Sequence, residues 1–306
     1  MKSINRLDTI PNAHLLQVQF ALAAFGCMNA DNVVHISTSI TTGKRLYAYM
    51  QENGFKTLEE AKADKDAFAK NVIAPNIADS LGWVKIWRAK TKGVVISPGE
   101  FEKCRDGGTV TWSQDAFMGM WLNFIDKKVT KEVMQSGWAY SDGAGEEYLH
   151  IACMQMGLRD RSNISIVDTD NKKLGLDKGI SAMAAAFKDL HDQGIAAPRV
   201  ARTLARLLLL EERYAASETT AEAKSPVTLA AYDRKSFLPV KEEVMSILKA
   251  EYPELLAFIG KQKSADLTPI NILADEKRPG IARNDNRKVN RLPERHRTAK
   301  IPNAPR

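Results

Sequence analysis

The sequence predicts a mainly α-helical body with a few short strands, flanked by a flexible N-terminal arm and a basic, extended C-terminal tail. Three observations carry that prediction. Apolar residues recur at helical spacing through most of residues 13–261. The stretches with β character, Val33–Ile36, Val94–Ile96 and Ile164–Val167, are only three or four residues long. From Asp266 onward periodicity stops, and Pro269, Pro279, Pro293, Pro302 and Pro305 oppose long helices. The chain divides accordingly into an arm (1–12), a helical core (13–216), a linker (217–226), a small helical subdomain (227–264) and the tail (265–306).

The core opens at Pro11-Asn12, a helix start, so Ala13–Gly26 reads as a first helix. Its faces are apolar nearly all round, which implies burial. The apolar run Leu15–Met28 contains Gln17 and Gln19 and is too short to span a membrane. Lys2 and Arg6 before it give the outline of a secretory leader, yet a buried helix accounts better for the segment. Ser37–Thr42 then leads into a helix that ends near Gly54. Thr57 with Glu60 forms a capping box, opening a solvated helix that Pro75 interrupts. Ile77–Lys90 follows with Trp83 and Trp87 on one face, a pattern of core residues or of a stacking platform for a base.

Ser97-Pro98-Gly99-Glu100 starts the next helix, and Thr109–Trp112 reads as extended. Gln114–Lys127 is a richly apolar helix suited to central packing. Lys131–Ser136 reads as a shorter helix, and Gly137–Gly145, with three glycines, as a loop. Glu146–Met156 and Ile180–Gln193 are helical, with Gly194 as a stop signal. Ser217–Pro226 marks the linker, and Lys241–Ala250 and Pro253–Lys261 form two short amphipathic helices.

The helix Pro198–Ala216 carries the strongest functional signal. Arg199, Arg202, Arg206 and Arg213 fall within a stripe roughly 60° wide at 100° per residue, opposite Val200, Leu204, Leu207 and Leu208. Guanidinium forks match phosphate oxygens in a bidentate way. With the preceding helix, this segment has the outline of a helix-turn-helix, with Arg199, Thr203 and Arg206 facing a groove.

Charge points the same way. The net charge is +7, but Lys277–Arg306 holds ten Lys or Arg against Asp285 and Glu294, whereas residues 1–276 hold 34 basic and 35 acidic side chains. A basic tail on a balanced body suits a polyanion partner. The expected nucleic-acid contacts are therefore Arg199, Arg202, Arg206 and Arg213, Arg159 and Arg161 in the connection before residue 164, and Arg283, Arg287, Lys288, Arg291, Arg295 and Arg297 in the tail.

Motifs for chemistry are absent. Thr42-Gly43-Lys44 resembles the close of a phosphate loop, but Thr38 stands where the first glycine belongs and Arg45 replaces the hydroxyl residue. Asp168–Asn171 fails as a calcium loop, with Lys173 at the glycine position and Gly179 at the closing glutamate position. His150 and Cys153 share a helix face without a second ligand pair, which suggests packing. Cys27, Cys104 and Cys153 give no disulfide or zinc spacing and fit a reducing compartment.

The sequence thus leads to the expectation of a non-enzymatic nucleic-acid-binding structural protein that self-assembles through its terminal arms. A viral nucleocapsid or filamentous coat subunit has these properties, with RNA rather than DNA as partner, no membrane and no cofactor. It would reside in a virion or host cytoplasm, or otherwise in the cytoplasm. The alternatives are a helix-turn-helix replication, partition or regulatory protein, and a component of a ribonucleoprotein particle.

Overall fold

The computed structural model describes residues 12–103, 112, 114–156, 163–218 and 234–261. All of them belong to one compact unit, Met1–Ala274. Mainly α with a few short strands is what the chain adopts. The twelve helices are α1 (Asn12–Gly26), α2 (Lys44–Asn53), α3 (Leu58–Ala61), α4 (Lys65–Phe68), α5 (Ala74–Lys90), α6 (Pro98–Lys103), α7 (Gln114–Lys127), α8 (Asp142–Gln155), α9 (Leu176–Asp192), α10 (Pro198–Glu218), α11 (Arg234–Glu251) and α12 (Pro253–Gly260) among the described residues.

Four strands, β1 (Val33–Ser37), β2 (Val94–Ile96), β3 (Lys131–Met134) and β4 (Ser165–Asp168), form one sheet in the order β2-β1-β3-β4. Every pairing is parallel. Such a sheet needs helices on both faces, and it has them. Val34 and Ile36 of β1, Val133 and Val167 pack with Val84 and Trp87 of α5. The other face, with Val33, Met134 and Ile166, joins the larger core built from α7, α8, α9 and α10. This is why β1 is buried at all five positions and shows no polar alternation.

Local signals explain many helix ends. Thr57 accepts from the Glu60 N–H while the Glu60 carboxylate accepts from the Thr57 N–H, so the predicted capping box is present. Gly54 ends α2 in the left-handed conformation at φ 71°. Ser141 caps α8 by accepting from the Ala144 N–H. Pro75 does not break the chain's helical path. It lies in the first turn of α5, where no N–H is needed, directly after the π-helical turn Ala69–Ile73.

Three expectations are overturned. The first helix, expected to be buried, encloses Val18 but leaves Leu16 and Phe20 60% and 69% exposed, because α1 packs on α7 along one side only. Lys131–Met134 is not helical but the central strand β3, paired with both β1 and β4. Its alternation decides the matter physically: Glu132 and Met134 point to the face of His35 and Ser37, while Val133 lies on the α5 face. Gly137–Gly145 is not an open loop. It holds a 3-10 turn, Trp138–Tyr140, and the first turn of α8, with Trp138, Ala139, Ser141 and Ala144 buried. The Trp138 ring stacks on Tyr148 with centroids 4.7 Å apart. Gly179 of α9 is required here, because a Cβ at that position would run into the Tyr148 ring.

The expected arm (1–12) lies outside the described residues except for Asn12. Thr109–Val110 and Thr111, residues 219–226 of the linker and the tail from 265 also lie outside them.

Candidate functional site

The strand order reverses at β1. From β1 the chain crosses to β2 on one side and then returns to β3 on the other. In parallel sheets the crevice beyond the carboxyl ends of the strands at such a switch point is where ligands bind. Here the carboxyl ends are unusually polar. β1 ends in Ser37 followed by Thr38, and β2 is followed by Ser97, and all three are buried. Ser80 of α5 joins them, 3.3 Å from Thr38 Oγ1 and 2.6 Å from Ser97 Oγ. On the other side, the Ser37 hydroxyl donates to Glu147 Oε2 of α8 at 2.5 Å.

The loop from Thr38 to Gly43 closes over these groups and is firmly held. Asn76 Nδ2 donates to the carbonyls of Ile40 and Thr42, at 2.9 and 3.4 Å, and Asn76 Oδ1 accepts from Arg45 Nε at 3.1 Å. Arg45 also pairs with Asp79 at 2.6 Å. Gly43 takes φ 91° at the start of α2, where a side chain would meet Ser39. Thr42 Oγ1 lies 3.2 Å from Ser141 Oγ at the start of α8. Beside the loop a cavity of about 250 Å³ is lined by Thr42, Tyr47, Lys56, Asp142 and Arg199 over an apolar floor that includes Leu46 and Met50. Burial pushes the Asp142 carboxyl up, with Arg199 at 3.6 Å opposing that shift.

Beneath Ser37 lies a cluster of ionisable groups. His35 and Glu132 are register partners on β1 and β3, so both side chains leave the same face of the sheet. His35 Nδ1 sits 2.8 Å from Glu132 Oε1, and both residues are 0% exposed. Trp121 and Phe124 of α7 cover the imidazole, with ring centroids 5.0 and 6.1 Å away. Glu147 completes the group from α8. Burial pushes its carboxyl up to about 7, with His35 and the Ser37 hydroxyl pulling down and Glu132 pushing further up. Burial also holds Glu132 well above the carboxylate range and lowers His35. Among the described residues, these three are the group whose spacing suits a cation, one donor atom from each lying within 4.8 Å of the others.

The arginine stripe does not stand where the sequence placed it. Arg206 is 1% exposed, and its Nη1 bonds both Glu146 oxygens at 2.9 and 3.0 Å. Thr203, expected to face a groove, is buried and donates to Glu146 Oε1 at 2.8 Å. Arg202 is half-buried, and Arg199 is exposed at the cavity. The physical reason is α8: Glu146 on its inner face offers α10 a charge partner, so the side of α10 that is polar in sequence is also a packed side. The Arg213 side chain, Arg159, Arg161 and the tail residues Arg283, Arg287, Lys288, Arg291, Arg295 and Arg297 lie outside the described residues. Trp87 is core, as one of its two sequence readings has it, and His150 and Cys153 are buried, with His150 Nε2 bonded to Asp126 at 2.8 Å.

Sequence reasoning missed Ser37, Ser97, Glu132 and Glu147. The signal that would have found them is the alternation of short strands with helices, which implies a parallel sheet and directs attention to the residues at its carboxyl ends. Among the described residues no helix is long and apolar enough to cross a membrane. Comparison with family models, curated proteins and solved structures gives no match.

Proposed function

We propose that this chain binds and acts on a small, hydroxyl-bearing polar molecule at the carboxyl edge of its parallel sheet, with Ser37 and Glu147 as the polar groups that meet it. One observation carries the reading: polar side chains flank the carboxyl end of β1 on both faces of the sheet where the strand order reverses, with Thr38, Ser80 and Ser97 linked on the α5 side and Ser37 bonded to Glu147 on the α8 side. Ligand sites place a few convergent polar groups within an apolar surround. The neighbouring cavity carries ionisable groups of both signs, Lys56 and Arg199 with Glu59 and Asp142.

The test is thermal stabilisation of the full chain by a panel of sugars, sugar phosphates, nucleosides and hydroxy acids. A compound that raises the melting temperature of the wild type but not of folded Ser37→Ala or Ser97→Ala supports the reading. Equal stabilisation of all three proteins, or none of the wild type by any compound, counts against it.

A second reading, binding of RNA by a self-assembling structural protein, is favoured by the charge of residues 277–306, ten basic against two acidic. Counterion release by such a segment gives affinity without sequence preference. Nuclease digestion of protein purified at low salt decides it: protected fragments of regular length favour assembly on RNA, and the absence of retained nucleic acid removes the reading.

A further inference from the structure

We propose that His35, Glu132 and Glu147 form a binding site for one divalent transition-metal cation, with zinc as the test ion. The inference deepens the small-molecule reading, since the cation would form the floor of that site, but its test does not depend on any small molecule.

Three independent features lead to it. The first is convergence. One donor atom from each of the three residues lies within 4.8 Å of the others, although they come from β1, β3 and α8. The parallel register of β1 and β3 sets His35 directly beside Glu132, and α8 lowers Glu147 onto them. The second is incompleteness. His35 Nε2 and Glu132 Oε2 are buried without a hydrogen-bond partner, although their residues are fully enclosed. Native interiors satisfy such atoms, and an orphaned pair in one cluster calls for a bound species. Here Trp121 and Phe124 pack against the ring and keep water out.

The third feature is charge. Two carboxylates with a neutral imidazole carry a charge that one divalent cation cancels, whereas the two carboxylates buried without it repel each other. The donor set selects the kind of ion. One imidazole nitrogen with two carboxylate oxygens suits zinc, manganese or ferrous iron. Calcium, which takes six or more oxygens, is poorly served. The Ser37 hydroxyl, which donates to Glu147 Oε2, would orient that carboxylate, as hydrogen-bond donors behind metal ligands do.

The experiment uses the full chain stripped with chelator, titrated with zinc chloride and followed by calorimetry and by metal content after gel filtration. The expected result is one zinc per chain for the wild type, and binding weakened at least tenfold in Glu132→Gln, which keeps the size of the side chain. His191→Ala serves as control, because the half-buried His191 pairs with Glu251 at 2.9 Å outside the cluster. That variant should bind as the wild type does. Should Glu132→Gln fail to fold, the ring 15N resonances of His35 in the wild type report the same event, since zinc shifts the ligating nitrogen and leaves an unligated ring unchanged. No zinc retained by the wild type, undiminished binding in folded Glu132→Gln, or an unmoved His35 signal overturns the proposal. Zinc binding without stabilisation by any small molecule would support the metal site and count only against the functional reading; the reverse result would do the opposite.

Discussion

Arg206 of α10 and Glu146 of α8 form an ion pair inside the protein, with both carboxylate oxygens within 3.0 Å of one guanidinium nitrogen. The pair clamps two long helices together at a point where the Arg206 side chain has almost no contact with water. Removing Arg206 takes the guanidinium from a largely buried Glu146 carboxylate that the Thr203 hydroxyl also bonds. Arg206→Ala should therefore lower unfolding free energy by about 3–5 kcal/mol, and Arg206→Lys by less, because it keeps the charge but not the fork. Urea denaturation checks both. The same geometry means that charge reversal across Arg199, Arg202 and Arg206 would unfold the body, so it cannot serve as a test of nucleic-acid binding.

Gly179 and Tyr148 touch across α9 and α8, and the site of a Cβ on Gly179 is occupied by the Tyr148 ring. Tyr148 cannot simply turn aside, since its hydroxyl donates to the Gly175 carbonyl at 2.9 Å and its ring stacks on Trp138. Gly179→Ala should destabilise the protein by about 1–3 kcal/mol through overpacking, despite the better helix propensity of alanine. The double variant Gly179→Ala with Tyr148→Leu should be less destabilised than the sum of the two single changes, measured by thermal melts.

Tyr140 donates to Asp189 Oδ2 at 2.7 Å, and partial burial together with that bond pushes its hydroxyl up to about 12. The folded state thus holds this proton more tightly than the unfolded chain. Its contribution to stability is complete below pH 10, the unfolded value, and is lost as pH rises through about 12. Tyr140→Phe should be less stable than the wild type at pH 9, and the difference should shrink between pH 10 and 12. Urea midpoints of both proteins across that range check the sign, because the other tyrosines contribute equally to each.

The capping box of α3 is the most local feature in the molecule. Thr57→Ala should cost about 1 kcal/mol. Adding Glu60→Ala should cost less than it does alone, since the two side chains satisfy each other's backbone. Chemical denaturation of the two single variants and the double variant measures that coupling.

Some helix boundaries were legible from the amino-acid order because the bonds that set them span three or four residues, whereas the starts of α8, α9 and α11 lie four to seven residues before the expected Glu146, Ile180 and Lys241. Thr57 with Glu60, Pro98 and Pro198 at helix starts, and Gly54 and Gly194 after helix ends all stand where sequence reasoning puts them. The apolar pattern of Gln114–Lys127 likewise specified α7 to the residue. The mainly helical class follows from those same short-range signals.

What the tertiary structure alone decided is how distant segments meet. Lys131–Met134 carries no strand pattern long enough to read, and it becomes the central strand because β1 and β4 offer it hydrogen bonds on both edges. His35 finds Glu132 97 residues away and Ser37 finds Glu147 110 residues away. Those contacts depend on register and on helix packing, neither of which has a local signature. Arg206 makes the same point in reverse: its spacing on α10 is fixed by sequence, but whether its charge faces phosphate or Glu146 depends on which helix packs beside it.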